Sequence, residues 1–271
     1  MELRRRLETS VMKLAVVQMD ACETDPVCRR QQMSEAAHKA SGQGARVIVF
    51  PELALTGYGA GDQIAANAQG LDGVQVRFLK DLAAATGSAL VAGLALRDGE
   101  TLRNAAIFAA PDGTVAAYHK LHLYGGYEKA LFTLGQERPP VIAFEGLNLG
   151  LLVCFDVEFP ERVRDLALRG ADAVLVPTAL PQSAGGAFIA GSVLPVRAFE
   201  NQVFVAYANH CGADARFSYQ GRSCIAAPDG SFLAQASTTG AEVAVADIMV
   251  TAYDACRAQN PYLDEVRASS Q

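Results

Sequence analysis

Short apolar runs alternate with amphipathic stretches along most of the chain. The short runs are typical of buried β-strands, whereas apolar positions that recur with a helical period are typical of amphipathic helices. The predicted strands cover 14–19, 46–50, 89–95, 104–109, 114–120, 149–153, 173–176, 203–209, 223–227, 231–236 and 242–249. The predicted helices cover 28–41, 74–86, 161–169 and 192–201.

The order of these elements repeats along the chain. A βαβ unit followed by strands around a Pro-Asp-Gly turn occurs twice, with the turns at 111–113 and 228–230. This order predicts an α/β fold in which helices cover the faces of the sheets. Two similar halves, each one sheet plus two helices, are expected to stack sheet to sheet. We predict a single domain over 12–271, preceded by an extension at 1–11.

Composition and charge narrow the class of protein. The 271 residues are 51% apolar and 19% charged, which is ordinary for a globular protein with a sizeable core. The net charge of -6 argues against a nucleic-acid partner, because phosphate binding requires a basic face. Apolar runs stay shorter than the roughly 18 residues of a membrane span, and no apolar segment follows the arginines at 4–6 as in a secretory leader. We expect no membrane partner and a cytoplasmic location.

The cysteines do not form a recognisable framework. Six of them lie at positions 22, 28, 154, 211, 224 and 256 without a CxxC pair. This spacing indicates neither disulfides nor a zinc site, so free thiols in a reducing compartment are expected.

Three polar side chains follow predicted strands. Glu52 follows 46–50, Lys120 ends 114–120, and Cys154 follows 149–153 in what reads as a strand-to-helix turn. Taken singly, each has an ordinary alternative: a cap, a solvated lysine and an inert buried thiol. In α/β sheets, however, ligands gather at the edge where strands end. Helix dipoles and a nearby cation at such a turn are expected to favour the Cys154 thiolate.

A thiol, a carboxylate and an ammonium form a complete set for acyl transfer. The carboxylate takes the thiol proton, the thiolate attacks a carbonyl or nitrile carbon, and the ammonium stabilises the developing charge. No metal or organic cofactor is needed for this chemistry.

At these residues the chain resembles the nitrilase superfamily of carbon–nitrogen hydrolases. The resemblance covers about 13–247 and is closest to the stereoselective amidase branch. It rests on Phe50-Pro51-Glu52-Leu53, on 118–123 around Lys120, and on Cys154-Phe155-Asp156 with Phe159-Pro160-Glu161, supported by 197–201, 208–209, 221–223 and 228–230.

The resemblance implies a four-layer αββα sandwich and a Glu-Lys-Cys triad. Glu52 corresponds to the general base, Lys120 to the oxyanion stabiliser and Cys154 to the nucleophile. Glu128 matches a second glutamate that many members place beside the triad, although a solvated residue at a helix start is the alternative. The resemblance also implies a homodimer or higher homo-oligomer, and the tail at about 250–271 either reaches that interface or packs on its own chain.

Four further residues are candidates for substrate binding. Tyr58, Tyr124 and Phe155 are predicted to form walls of the pocket, with simple core packing as the alternative. Glu158 stands where many relatives carry arginine or another residue. It is predicted to face the pocket mouth and to favour amides with a nearby cationic amine, unless it only complements a helix dipole.

The expected reaction is hydrolysis of a small carboxamide to a carboxylic acid and ammonia. A nitrilase, an omega-amidase and an N-carbamoyl-amine hydrolase of the same family remain alternatives, as does a non-catalytic binding module on the same fold.

A dinucleotide-binding enzyme is disfavoured because Asp62 breaks the glycine pattern that begins at Gly57. His210 with Cys211 is an alternative catalytic pair, a Cys-His dyad. His119 and His122 are expected to have structural roles.

Overall fold

A computed structural model describes residues 11–269 of the chain. Thirteen strands are present in that part: β1 (Met12–Asp20), β2 (Val47–Val49), β3 (Ala89–Asp98), β4 (Thr101–Ala109), β5 (Val115–His119), β6 (Val141–Phe144), β7 (Leu147–Leu151), β8 (Ala173–Pro177), β9 (Phe204–Ala208), β10 (His210–Cys211), β11 (Cys224–Ala226), β12 (Phe232–Gln235) and β13 (Glu242–Ile248). The α-helices are α1 (Pro26–Gly42), α2 (Asp62–Asn67), α3 (Val74–Thr86), α4 (Gly125–Leu131), α5 (Pro160–Leu168), α6 (Ala184–Phe188), α7 (Leu194–Asn201), α8 (Asp254–Gln259) and α9 (Tyr262–Ser269).

The strands form two sheets with related topology. The first has the order β10-β1-β2-β3-β4-β5, with β13 also paired to β1, and the second has the order β12-β11-β9-β8-β7-β6. Each has three parallel strands at its centre, β1–β2–β3 and β7–β8–β9. Antiparallel strands extend both sheets beyond these centres. At the other edge of the first sheet, β10 pairs with β1 in parallel. The repeated order of elements in the sequence therefore corresponds to two similar halves.

Alternation along the central strands explains the layers. On β1, Leu14 and Val16 join a core cluster with Leu149 and Leu175 of the second sheet. The intervening residues of β1 point the other way, into a second cluster that contains Met33 of α1 and residues of α3. Helices α5 and α7 cover the outer face of the second sheet. The predicted αββα sandwich is confirmed, and the period of two in the strands builds it.

Most of the predicted elements are present, with differences at positions where the apolar pattern is short. The strand β6 has four residues and directly follows Pro139 and Pro140, and α2 and α4 have six and seven residues. These are too short to show a period. The predicted helix at 192–201 is preceded by a π-helical turn, Ile189–Val193, and α7 begins beside Pro195. Proline cannot donate the regular helical hydrogen bond, which accounts for the irregular start.

The C-terminal segment packs on its own chain. Leu263 contacts the main core cluster, and the ring of Tyr262 lies edge-on to Phe199 with 5.6 Å between centroids. A role in an oligomer interface stays a prediction, and the extension at 1–11 lies outside the described residues except for the exposed Val11. Within 11–269, no helix combines the length and apolar character of a membrane span.

The backbone that carries Glu52 lies unusually close to β3. Glu52 directly follows Phe50 and Pro51 at the end of β2, and Gly93 of β3 donates a hydrogen bond from its N–H to the Pro51 carbonyl at 3.0 Å. A Cβ atom at position 93 would lie 2.4 Å from the Cα of Glu52. Only glycine permits this approach, so the position of Glu52 depends on Gly93.

We expect Gly93→Ala to lower the free energy of unfolding by about 2 kcal/mol or more, because the methyl group overpacks the contact with Glu52. Urea unfolding followed by circular dichroism measures this change. Gly42→Ala is the control, since nothing lies within 4 Å of its added methyl group and the expected change is under about 1 kcal/mol. Equal stability of Gly93→Ala and the wild type would contradict the close approach.

Candidate active site

Three segments from both sheets bring charged side chains to one buried point. Glu52 follows β2 and Lys120 follows β5 in the first sheet, whereas Cys154 follows β7 of the second sheet. Lys120 Nζ donates to Glu52 Oε1 at 2.7 Å and to Glu128 Oε1 at 2.7 Å. All four side chains are buried. The structure therefore assembles the four residues that the sequence singles out, at the interface between the sheets.

Glu52 is held at both its backbone and its side chain. Its N–H donates to the Thr178 carbonyl at 3.2 Å, and its carbonyl accepts from His210 Nε2 at 2.8 Å. Asn104 Nδ2 donates to Oε1 at 2.6 Å, the same oxygen that binds Lys120. Oε2 is buried and has no hydrogen-bond partner in the described part of the chain. One carboxylate oxygen thus orients the group while the other is free to accept a proton.

Burial dominates the electrostatics of Glu52 and Lys120. Burial raises the pKa of Glu52 to about 7, and the charge of Glu128 adds to this effect while Lys120 opposes it. For Lys120, burial disfavours the charged form, but the facing carboxylates outweigh it and raise the pKa above its usual range. The site therefore holds a permanent ammonium beside a carboxyl group that gains and loses a proton near neutral pH.

Glu128 lies in the first turn of α4 and is completely buried. Its Oε1 accepts hydrogen bonds from Lys120 and from the Tyr58 hydroxyl at 2.7 Å, and its Oε2 accepts from the Tyr124 N–H at 2.9 Å. The alternative of a solvated helix-start residue is therefore wrong. Because both carboxylate oxygens are occupied, Glu128 is suited to fixing the position of Lys120.

Cys154 occupies a conformation that is rare for residues other than glycine. Its φ angle is 44°, at the start of a 3-10 turn, Cys154–Glu158, that precedes α5. Burial and the Glu52 carboxylate raise the pKa of the thiol well above its usual range, although Lys120 acts in the opposite direction. The expectation that the turn favours a thiolate is wrong, because loss of solvation outweighs the nearby cation.

Asp156 anchors the turn that carries Cys154. Its buried carboxylate accepts hydrogen bonds from the Tyr118 hydroxyl at 2.9 Å and the His122 N–H at 2.9 Å. The His122 ring also lies 2.7 Å from Oδ1 and stacks on Phe159, with 3.8 Å between centroids. His122 thus has the structural role expected, and no cluster of three or more metal-ligating side chains occurs within 11–269.

His210 and Cys211 do not form a dyad, because they contact different groups. Cys211 Sγ lies 3.6 Å from the Met19 carbonyl, while His210 supports the backbone of Glu52. Burial lowers the pKa of His210 to about 3, so its ring stays neutral. The contributions of His210 and Asn104 are absent from the sequence prediction. Each of these polar residues lies beside an apolar run, 105–109 for Asn104 and 203–208 for His210, and that position was the available signal.

A small cavity opens above Cys154. It encloses about 110 Å³ and is lined by Tyr124, Cys154, Phe155, Glu158, Leu180, Pro181, Ser183, Gly185, Gly186 and Ile189. Three of the four predicted substrate-binding residues therefore line it. Tyr58 does not: its hydroxyl is bonded to Glu128, and its ring packs in an aromatic cluster with Tyr127 and others. For Tyr58, the prediction of a pocket wall is wrong and the packing alternative is correct.

Two stacked sheets, with a thiol beside a Glu-Lys-Glu cluster, are the fold and the site that the sequence resemblance implies for a hydrolase. The family model described as carbon-nitrogen hydrolase matches residues 13–258. The chain belongs to this family.

Proteins similar to this chain include a nitrilase and amidases. A nitrilase of Pyrococcus abyssi is 36% identical over 88% of this chain and 90% of its own. An (R)-stereoselective amidase of a Pseudomonas species is 30% identical over 83% of this chain and 81% of its own. A solved structure of a mutant amidase from Nesterenkonia sp. AN1 has a TM-score of 0.83 and 37% identity, covering 95% of this chain and 97% of that one. In that protein, acrylamide has added to the active-site cysteine.

We expect Asp156→Asn to cost about 1–3 kcal/mol of unfolding free energy, because an amide nitrogen would face groups that donate hydrogen bonds. Displacement of the turn should also slow alkylation of Cys154 by iodoacetamide at least tenfold, measured by mass spectrometry. Asp165→Asn is the control: its partly exposed carboxylate pairs with Arg138 and Arg169 on the surface. Alkylation of Cys154 at the wild-type rate in Asp156→Asn would remove Asp156 from the support of the turn.

Proposed function

We propose that this protein is an amidase that converts a small carboxamide to a carboxylic acid and ammonia through a thioester on Cys154. The observation that carries the proposal is the buried ammonium of Lys120, held between Glu52 and Glu128 beside a thiol that lines a cavity. This arrangement supplies a nucleophile, a proton acceptor and a fixed positive charge on buried side chains.

In the first step, Glu52 Oε2 accepts the thiol proton as the sulfur of Cys154 attacks the amide carbon. A carbon–sulfur bond forms, and the carbonyl π-electrons move to the oxygen. Lys120 has three N–H donors, of which two bind carboxylates, so the third is available to the oxyanion. The backbone N–H of Phe155 is the second proposed donor.

Collapse of this intermediate breaks the carbon–nitrogen bond. Glu52 returns its proton to the departing nitrogen, so ammonia leaves and the acyl group remains on sulfur. A water molecule then loses a proton to a glutamate and attacks the thioester, which releases the acid and restores the thiol. The free oxygen of Glu52 favours it over Glu128 as the base in this step, since Glu128 is fully hydrogen-bonded.

The size of the cavity supports a small substrate. Its volume of about 110 Å³ is well below the roughly 300–1,000 Å³ of sites for drug-sized ligands. Tyr124 and Phe155 supply apolar contact for the acyl part. The Pyrococcus relative bears the name nitrilase, so hydrolysis of a nitrile is the second candidate function. Ammonia release from butanamide, butanenitrile and N-carbamoyl-β-alanine separates an amidase, a nitrilase and a carbamoyl-amine hydrolase.

We expect Cys154→Ala to abolish ammonia release from butanamide without unfolding the protein, because only the nucleophile is lost. Circular dichroism checks the fold, and Cys28→Ala, at an exposed cysteine, should keep the wild-type rate. Turnover by Cys154→Ala near the wild-type rate would overturn the mechanism. A wild-type protein inert to all three compounds, with Cys154 alkylated no faster than the other cysteines, would favour a binding module.

The pH dependence should follow the protonation of Glu52. Since only the ionised carboxylate accepts the thiol proton, kcat/KM for butanamide is expected to rise as pH increases through about 7, the pKa of Glu52. Glu52→Gln should lower kcat/KM by about 10²–10⁴-fold and remove this step. In Glu128→Gln the step should move to lower pH, because the charge of Glu128 helps to raise the pKa of Glu52. If Glu52→Gln keeps the rise of kcat/KM near pH 7, that rise reports the titration of another group.

A further inference from the structure

Glu158 is the single charged residue among those that line the cavity above Cys154. The other lining groups are aromatic, aliphatic or small, apart from the thiol itself and the hydroxyl of Ser183. A carboxylate in such surroundings determines the sign of charge that the cavity accepts. The charge of Glu158 is therefore a candidate determinant of the substrate class.

The carboxylate of Glu158 is not used in the fold. In the described part of the chain, no hydrogen bond or ion pair reaches it, although its backbone carbonyl accepts from Arg197 Nη2 at 2.6 Å. Arg197 Nε donates to the Val157 carbonyl and Nη1 pairs with Glu200. Lys120 is occupied by Glu52 and Glu128. Neither neighbouring cation thus neutralises Glu158 through direct contact.

Burial without a partner is unfavourable for a carboxylate. Glu158 is partly buried, and this burial raises its pKa, whereas a bound cation would favour the ionised form. The rings of Tyr124 and Phe155 lie in the same wall, with 5.2 Å between centroids. A carboxylate beside aromatic faces is a favourable environment for a substituted ammonium.

We infer that the substrates are small amides that carry an ammonium group a few bonds from the carbonyl carbon, and that Glu158 binds this ammonium. This inference rests on the proposed amidase function and specifies its substrate class. The small volume of the cavity limits the separation between the two groups to a short chain.

A dipole role is the competing explanation, because Glu158 lies just before α5. Glu161 provides a matched comparison: it is in the first turn of the same helix, is exposed and does not line the cavity. A helix-dipole contribution should be lost in Glu161→Gln as in Glu158→Gln. Recognition of a substrate cation should be lost in Glu158→Gln alone.

The experiment compares two amides of the same shape, butanamide and 3-aminopropanamide, in which a methyl group is replaced by an ammonium. The wild type should prefer 3-aminopropanamide in kcat/KM, and Glu158→Gln should lower that preference at least tenfold, since charge-assisted contacts are the strong ones. Glu161→Gln should keep the wild-type preference. An unchanged preference in Glu158→Gln, or an equal loss with both amides, would overturn the role of Glu158.

A second measurement does not depend on turnover. Alkylation of Cys154 by neutral iodoacetamide and by cationic 2-bromoethylamine is followed by mass spectrometry in the same variants. Glu158→Gln should slow the cationic reagent at least tenfold relative to the neutral one, and an unchanged ratio would contradict the inference. If the wild type hydrolyses neither amide but the alkylation ratio changes as expected, the proposed function fails while the cation site stands.

Discussion

The ammonium of Lys120 is the constraint on which the rest of the site depends. A buried ammonium loses its hydration and is tolerated only where paired carboxylates replace the water. Glu52 and Glu128 do this at 2.7 Å each. They come from different segments, so the fold must bring the end of β2, the end of β5 and the start of α4 together before the charge is satisfied. Removing Lys120 would leave two facing carboxylates without a cation, and removing either glutamate would take away one of the two partners of the ammonium. The stability of the site is therefore coupled to its geometry.

The same pairing explains why the thiol is not ionised in advance. Two carboxylates surround one ammonium, so a thiolate at Cys154 would add a second excess negative charge among buried side chains. The raised pKa of Cys154 follows from this balance. The proposed mechanism therefore needs a proton acceptor at the moment of attack, and it assigns this role to the free Oε2 of Glu52. Activation by an adjacent base, rather than by a low thiol pKa, is the consequence of burial.

Much of the fold could be predicted because the central strands are buried on both faces and alternate between two cores. Strands β1 and β3, which lie on either side of β2, carry mostly apolar runs, and both Pro-Asp-Gly turns mark hairpins. The elements that the sequence does not reveal are short. In β6 and α4, four and seven residues hold no measurable period. They form because longer neighbours position them, and that information is tertiary.

The position of a side chain at a strand end was predictable, but its solvation was not. Glu52, Lys120 and Cys154 each follow an apolar run, and the topology of parallel strands brings such ends to a common edge. Whether water reaches the side chains at this edge depends on the residues that cover it. The cover here includes Tyr58, whose sequence context suggested a pocket wall and whose hydroxyl instead binds Glu128 beneath the cavity. The dry environment raises the pKa of Glu52 and of Cys154 alike. A local motif thus identifies the groups that we propose to react, whereas their protonation follows from residues that lie far away in the sequence.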